Sequence, residues 1–144
     1  MADMRHSITI DAPPENVYPL ISSAAGLSQW WAEDANENTS SGAVELGFFE
    51  RTTVYRLRLL VAKPPLNAEW VCESGKEWIG TSLIFHLQPG ASGTLLRFTH
   101  ANWLDESEYF VSCTTTWGEL MFRLKAAAEG KSRGPLFLAK SLAY

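Results

Sequence analysis

The sequence has 144 residues, of which 46% are hydrophobic and 19% are charged, and it includes six tryptophans and seven phenylalanines. This length fits one domain, and the composition is typical of a globular protein with a full apolar core. The formal net charge of −4 argues against nucleic acid and an anionic membrane surface as partners, because both require a basic face. We therefore treat residues 1–144 as a single domain, with a core over residues 4–134 and a tail over residues 135–144.

Two features of the sequence indicate a cytoplasmic location. Cys72 and Cys113 lie far apart without a C-x-x-C spacing, which favours reduced thiols over a disulfide or a zinc site. The N-terminal segment has no apolar signal region, and no window reaches the roughly 18 apolar residues that a membrane-spanning helix needs. The three histidines stand on separate elements without metal-ligand spacing, so we expect neither a metal nor another cofactor.

The first 42 residues predict one strand, two short helices and a loop. Alternating apolar side chains indicate a strand over residues 4–10. A proline pair then favours a helix start and gives a short helix over residues 15–21, and Ser22 or Ser23 can cap a second short helix over residues 24–31. Residues 32–42 are acidic and polar without periodicity, so we expect a solvated loop there, which could act as a lid.

Successive antiparallel strands are predicted for the middle of the chain. In the segment 53–62, Tyr55 and Leu57 take one face, while Arg56 and Arg58 take the other and are expected to pair with carboxylates of neighbouring strands. Strands followed by a helix indicate an α+β domain with helices on one face of the sheet. The segments that alternate in this way are residues 44–48, 53–62, 68–73, 81–87 and 94–101.

The clearest pattern is that of a long amphipathic helix over residues 105–130. Asp105 and Glu108 resemble a capping box, and Gly130 stands where a terminating glycine is common. Gly118, in the middle, costs about 1 kcal/mol relative to alanine and requires a reason, such as a close strand, a bend or space for a ligand. The apolar stripe recurs every three or four positions and consists of Phe110, Cys113, Trp117, Leu120, Met121, Leu124 and Ala128.

Four segments resemble the SRPBCC, or START-like, superfamily, and within it the branch of Hsp90 ATPase activator homologues. They are ITIDAPPENVYPLI, LSQWW, GTLLRFTHANW and CTTTWGELMFRLKAAAEGKSRGP. The resemblance implies a helix-grip (Bet v 1/START-like) fold, in which a bent antiparallel sheet wraps around a long C-terminal helix, with two short helices after the first strand and an elongated cavity between sheet and helix. Gly42 and a lone Gly47 stand where the family often shows a double glycine. The activators proper carry a separate N-terminal domain that this sequence lacks, so an Hsp90-type chaperone is disfavoured as a partner.

The aromatic side chains exceed what one packed layer requires, so we expect some of them to line a cavity, although each could instead belong to the core. The favoured function is binding of a small hydrophobic or aromatic molecule. One alternative is a polyketide cyclase or dehydratase-like enzyme, in which His100 or Tyr55 moves a proton. Another is a protein-interaction module or homodimer, because the apolar tail can pack on the domain or on a second copy. The cavity-lining candidates are Trp30, Trp31, Tyr55, Trp70, Phe85, Phe98, His100, Cys113, Trp117 and Met121.

Overall fold

The computed structural model describes residues 1–140, which form a seven-stranded antiparallel sheet and three helices. The helices of this part of the chain include none with the length and apolar character needed to cross a membrane. In chain order the elements are β1 (Ala2–Ile10), α1 (Pro14–Ile21), α2 (Ala24–Leu27), β2 (Asp34–Glu37), β3 (Val44–Phe48), β4 (Thr53–Lys63), β5 (Asn67–Cys72), β6 (Ser82–Pro89), β7 (Thr94–Trp103) and α3 (Glu108–Ala128).

The curved open sheet has the spatial order β1-β7-β6-β5-β4-β3-β2. Strands β2 to β7 follow one another as antiparallel neighbours, and β1 pairs with β7 at the other edge. Helix α3 covers the inner face, and its stripe from Phe110 to Leu124 is buried there. This is the predicted α+β helix-grip arrangement, with two short helices between the first two strands.

The strand faces follow the predicted alternation. Tyr55 and Leu57 are buried. The outward Arg58 forms an ion pair with Glu73 on the neighbouring chain segment, with 2.8 Å between Nε and Oε2. Arg56 lies 3.7 Å from a carboxylate oxygen on β3. Period-two patterning was therefore sufficient to assign the core face of these strands.

The start of α3 differs from the prediction. The helix begins at Glu108, and Ser107 is its N-cap, since its hydroxyl oxygen accepts a hydrogen bond of 3.2 Å from the N–H of Phe110. The capping box predicted from Asp105 and Glu108 is therefore wrong. Serine and aspartate are both good N-cap residues, so sequence alone did not distinguish between two positions so close together.

The end of α3 agrees with the prediction. Gly130 has a φ of 78°, a left-handed conformation that glycine adopts without a steric penalty. The N–H of Lys131 donates to the carbonyl of Ala126 at 2.8 Å, and the N–H of Gly130 donates to the carbonyl of Ala127 at 3.3 Å. These two bonds form a Schellman motif, which satisfies carbonyl groups that the end of a helix would otherwise leave unpaired.

The second short helix ends four residues earlier than predicted. Ser23 caps α2 by accepting from the N–H of Gly26 at 3.0 Å. Beyond Leu27 the chain continues as turns, and the N–H of Trp30 bonds to the carbonyl of Leu27, only three residues back. Trp30 and Trp31 are therefore buried side chains of a turn rather than of a helix.

The segment predicted as a solvated loop contains an edge strand. Strand β2 pairs with β3, with Asp34 opposite Gly47 and Glu37 opposite Val44. Its side chains are polar because one edge of the strand has no neighbour in the described sheet, and charged edge strands are common. Patterning failed here because an exposed edge strand needs no apolar alternation.

Candidate functional site: an aromatic pocket under the long helix

A pocket of about 100 Å³ lies between the middle of α3 and the inner face of the sheet near β3 and β4. Strands β3 and β4 supply one wall and α3 supplies another. The turn after α2, the segment between β5 and β6, and the C-terminal segment complete it. The lining residues are Trp31, Phe48, Phe49, Thr53, Tyr55, Trp78, Tyr109, Cys113, Thr116, Trp117, Leu120 and Phe137.

An open groove of about 630 Å³ adjoins this pocket. The two share Phe49, Thr53, Tyr55 and Tyr109, so these four residues form the boundary between them. The outer part of the groove is polar and includes the side chains of Lys76 and Glu77, together with Thr52, Val54 and Gly75. The site thus combines a small aromatic interior with a larger polar approach.

Trp78 forms the most closely stacked part of the wall. Its ring lies parallel to that of Tyr55, with 4.1 Å between centroids and 5° between planes. Gly75 permits this approach, because a Cβ there would lie 2.5 Å from two Tyr55 ring carbons, and its φ of 106° also favours glycine. Trp78 is not among the residues predicted from the sequence, since it lies in an irregular segment without alternation.

His100 is buried beneath this wall in a fully bonded network. The Trp117 indole N–H, which can only donate, lies 3.1 Å from Nδ1 of His100, so Nδ1 is the acceptor and Nε2 carries the proton. Nε2 lies 2.9 Å from the hydroxyl oxygen of Thr81, which in turn donates to the carbonyl of Trp78 at 2.6 Å. Burial lowers the pKa of His100 to about 3, so the ring is neutral near neutral pH.

Burial favours the neutral forms of two ionisable groups at the pocket, Tyr55 and Cys113. The hydroxyls of Tyr55 and Tyr109 share a short hydrogen bond. Burial, and then this bond, raise the pKa of Tyr55 far above its usual value. Burial likewise raises the pKa of the Cys113 thiol, although interactions with the Trp78 and Tyr109 side chains act in the opposite direction. The pocket therefore carries a thiol, two phenols and two threonine hydroxyls beside its aromatic rings and Leu120.

The C-terminal segment closes one side of the pocket. Phe137 forms a parallel bridge with Ala32, in which its N–H donates to the carbonyl of Trp31 at 3.0 Å. Its carbonyl accepts from the N–H of Glu33 at 2.9 Å. Its ring packs edge-on against Phe48, with centroids 5.1 Å apart. Of the two alternatives for the tail, residues 135–140 pack on their own domain, and residues 141–144 lie outside the described part.

Of the ten predicted cavity residues, four line this pocket: Trp31, Tyr55, Cys113 and Trp117. Two others serve the framework, because the indole N–H groups of Trp30 and Trp70 donate to the last carbonyls of α1 at 2.8 and 2.9 Å. A contact between any of the ten and a ligand stays a prediction. The candidates that are buried away from this pocket are Trp30, Trp70, Phe85, Phe98, His100 and Met121.

Eight lining residues were absent from the predicted set. Phe48 continues the inward alternation of its strand, and Leu120 lies on the helical stripe, so patterning could have identified both. Tyr109 and Thr116 flank the stripe on its pocket side, whereas Trp78 and Phe137 reach the pocket from segments without regular structure. Among residues 1–140, no group of three or more metal-ligating side chains is placed to hold a metal ion.

Comparison with known proteins places this architecture in a family. Residues 11–129 match the model of the family described as Activator of Hsp90 ATPase homolog 1-like protein. The chain belongs to this family. The Aha1 dimer from Colwellia psychrerythraea is similar in structure, with a TM-score of 0.80 and 26% identity, over 91% of this chain and 98% of that one. A comparison with curated proteins gives no match.

Two further structures share the SRPBCC-type fold at lower identity. CalU16 from Micromonospora echinospora is 20% identical, with a TM-score of 0.69 over 93% of this chain and 69% of that one. DynU16, a protein in the dynemicin biosynthetic locus, is 12% identical, with a TM-score of 0.72 over 94% of this chain and 50% of that one. At these identities the likeness concerns the fold alone.

Proposed function

We propose that this member of the Hsp90 activator-like family binds a small aromatic molecule, with a ring in the pocket under α3 and any larger substituent in the adjoining groove. The observation that carries the proposal is a mostly aromatic pocket, lined by no acidic or basic side chain, that borders a more open and more polar groove. Ligand sites typically combine apolar walls with a few polar groups that fix orientation.

The size of the pocket limits the ligand. A volume of about 100 Å³ is below the roughly 150 Å³ of an engineered cavity that accepts benzene. A single ring therefore requires a small displacement of the wall. Phe137 is suited to this movement because it lies on the C-terminal segment and packs by its edge on Phe48 rather than within a strand of the sheet. A fused ring system would have to extend into the groove.

The enzyme alternative receives less support from the geometry. Both nitrogens of His100 are engaged, by Trp117 and Thr81, and its low pKa makes it a weak base. The Tyr55 hydroxyl is bonded to that of Tyr109, and its pKa is raised. Proton transfer by either residue would need these bonds to break first. We therefore favour binding over catalysis.

Fluorescence titration with ANS tests the proposal, because the aromatic rings of this anionic probe can enter the pocket while its sulfonate stays in the adjoining groove beside Lys76. The wild-type protein should bind ANS saturably in its native state, and Thr116→Phe should weaken binding by filling part of the pocket. Thr115→Phe is the matched control, because it makes the same change at an exposed neighbouring position of α3. Absence of saturable binding, or equal weakening by both variants, would refute a ligand site in this pocket. Circular dichroism checks that each variant is folded.

Homodimer formation is a second property that we propose for this chain, supported by the similarity to the Aha1 dimer from Colwellia psychrerythraea. Light scattering over a range of protein concentrations is the direct test, and a constant monomer mass would refute it. We do not extend chaperone activation to this chain, and the cytoplasmic location stays a prediction.

A further inference from the structure

One polar atom in the pocket wall lacks a normal hydrogen bond. Among residues 1–140, Nε1 of Trp78 has no partner, although the residue is only 4% exposed. The side chain interacts with the Cys113 thiol, but the sulfur of a thiol is a weak acceptor. Buried N–H groups are nearly always bonded in folded proteins, so this one requires an explanation.

The other buried indoles show what the fold normally provides. Trp30 and Trp70 donate to backbone carbonyls, and Trp117 donates to His100, at distances of 2.8 to 3.1 Å. Trp103 also has a buried N–H without a partner in the described residues, but it does not line the pocket. Trp78 therefore combines a place in the pocket wall with a donor that has at most a weakly accepting sulfur beside it.

We propose that the Trp78 indole N–H selects aromatic ligands that carry a neutral acceptor oxygen, such as the carbonyl of an aryl ketone or aldehyde. The inference rests on the proposed function, since it names the chemistry that the same pocket recognises. Trp78 and Cys113 both line the pocket, so an oxygen bound beside the thiol would receive the hydrogen bond that sulfur accepts poorly. An aromatic ring attached to that oxygen would then lie against the surrounding aromatic side chains.

The charge of the wall argues for a neutral oxygen rather than a carboxylate. The pocket lining includes no lysine or arginine, and burial favours the neutral forms of two of its ionisable groups, Tyr55 and Cys113. Burying an anion without a cationic partner is strongly unfavourable. Lys76 lies in the outer groove, where it could contact an anionic substituent only outside the aromatic pocket.

Calorimetric titration with acetophenone and ethylbenzene separates the hydrogen bond from apolar burial, because the two molecules differ mainly in the carbonyl. The wild-type protein should bind acetophenone about five- to tenfold more tightly, as one buried hydrogen bond allows. Trp78→Phe should reduce the ratio to about one. Trp103→Phe is the matched control, since it removes a similarly unpartnered indole outside the pocket, and it should keep the wild-type ratio.

The outcomes distinguish the two proposals. Equal affinities for both molecules in the wild type, or an unchanged ratio in Trp78→Phe, would overturn the role of Trp78 and leave aromatic binding intact. Failure of both molecules to bind would overturn both proposals. If Trp78→Phe does not fold, the NMR signals of the indole N–H protons in the wild-type protein test the inference instead. Acetophenone should shift the Trp78 proton downfield, identified by its proximity to the Tyr55 ring, whereas ethylbenzene should not, and no selective shift would overturn the inference.

Discussion

Acidification should destabilise this protein through His100. The ring is completely buried and neutral, because Nδ1 accepts from Trp117 and Nε2 donates to Thr81. Its pKa is lowered from 6.5 to about 3, so at a pH between these two values the unfolded chain binds a proton that the folded protein does not bind. Stability from this group is fully present above about pH 6.5 and is lost as the pH falls toward 3.

The expected magnitude follows from proton linkage. Within this window the free energy of unfolding should fall by about 1.4 kcal/mol per pH unit, so the change between about pH 7.5 and 5.5 is about 1.4 kcal/mol. Urea unfolding followed by circular dichroism at several pH values measures this slope. Burial also lowers the pKa of His6, which therefore contributes with the same sign in every variant that retains it.

The comparison of variants isolates His100 from the other groups. His100→Gln removes the titrating ring and should reduce the slope, whatever its effect on stability at one pH. His86→Gln is the control, because it removes a partly exposed histidine that lies between the buried positions of β6. This variant should keep the steep dependence of the free energy of unfolding on pH. A wild-type slope that His100→Gln leaves unchanged would show that His100 is accessible to protons, and would refute the buried network.

Three further substitutions test other parts of the structure. Gly118→Ala should raise the free energy of unfolding by about 0.5–1 kcal/mol, because a Cβ there meets no atom within 4 Å and alanine is the better helix former; a lower melting temperature would contradict this. Ser107→Ala should cost about 1 kcal/mol by removing the N-cap of α3, as measured by urea unfolding, and no loss relative to Ser112→Ala would contradict the assignment. Phe137→Ala should lower the free energy of unfolding by up to about 3 kcal/mol and yet increase the affinity for ANS, because it widens the pocket. Weaker ANS binding by the folded variant would refute the role of Phe137 as a closing residue.

The sequence predicted the elements whose side chains repeat. The stripe from Phe110 to Leu124 identified α3 because its period of 3.6 residues is sustained over about four turns, and alternation assigned Tyr55 and Leu57 to the core. Gly118 remained ambiguous in sequence. The structure removes one explanation, a closely packed strand, because the space beside its Cα is empty.

The candidate site was less predictable because much of it comes from irregular segments. Trp78 enters the pocket from a series of turns, where no periodicity indicates which side chain faces inward. Phe137 reaches it through a bridge to Ala32, more than 100 residues earlier in the chain. Aromatic excess predicted that some rings would line a cavity, but which rings do so depends on this long-range packing. His100 was expected among the cavity-lining residues, whereas the structure buries it away from the pocket, between Trp117 and Thr81. These two partners could not be read from the sequence.

Intermolecular nuclear Overhauser effects between acetophenone and the isotope-labelled protein test the central claim most directly. The proposed binding mode predicts effects from the ligand ring protons to Leu120, Trp117 and Trp31, which line the pocket beneath α3. Val111 and Phe122, on the exposed side of the same helix, should show none. Effects confined to these exposed residues, or no intermolecular effects at saturating ligand, would contradict a binding site between the sheet and the helix.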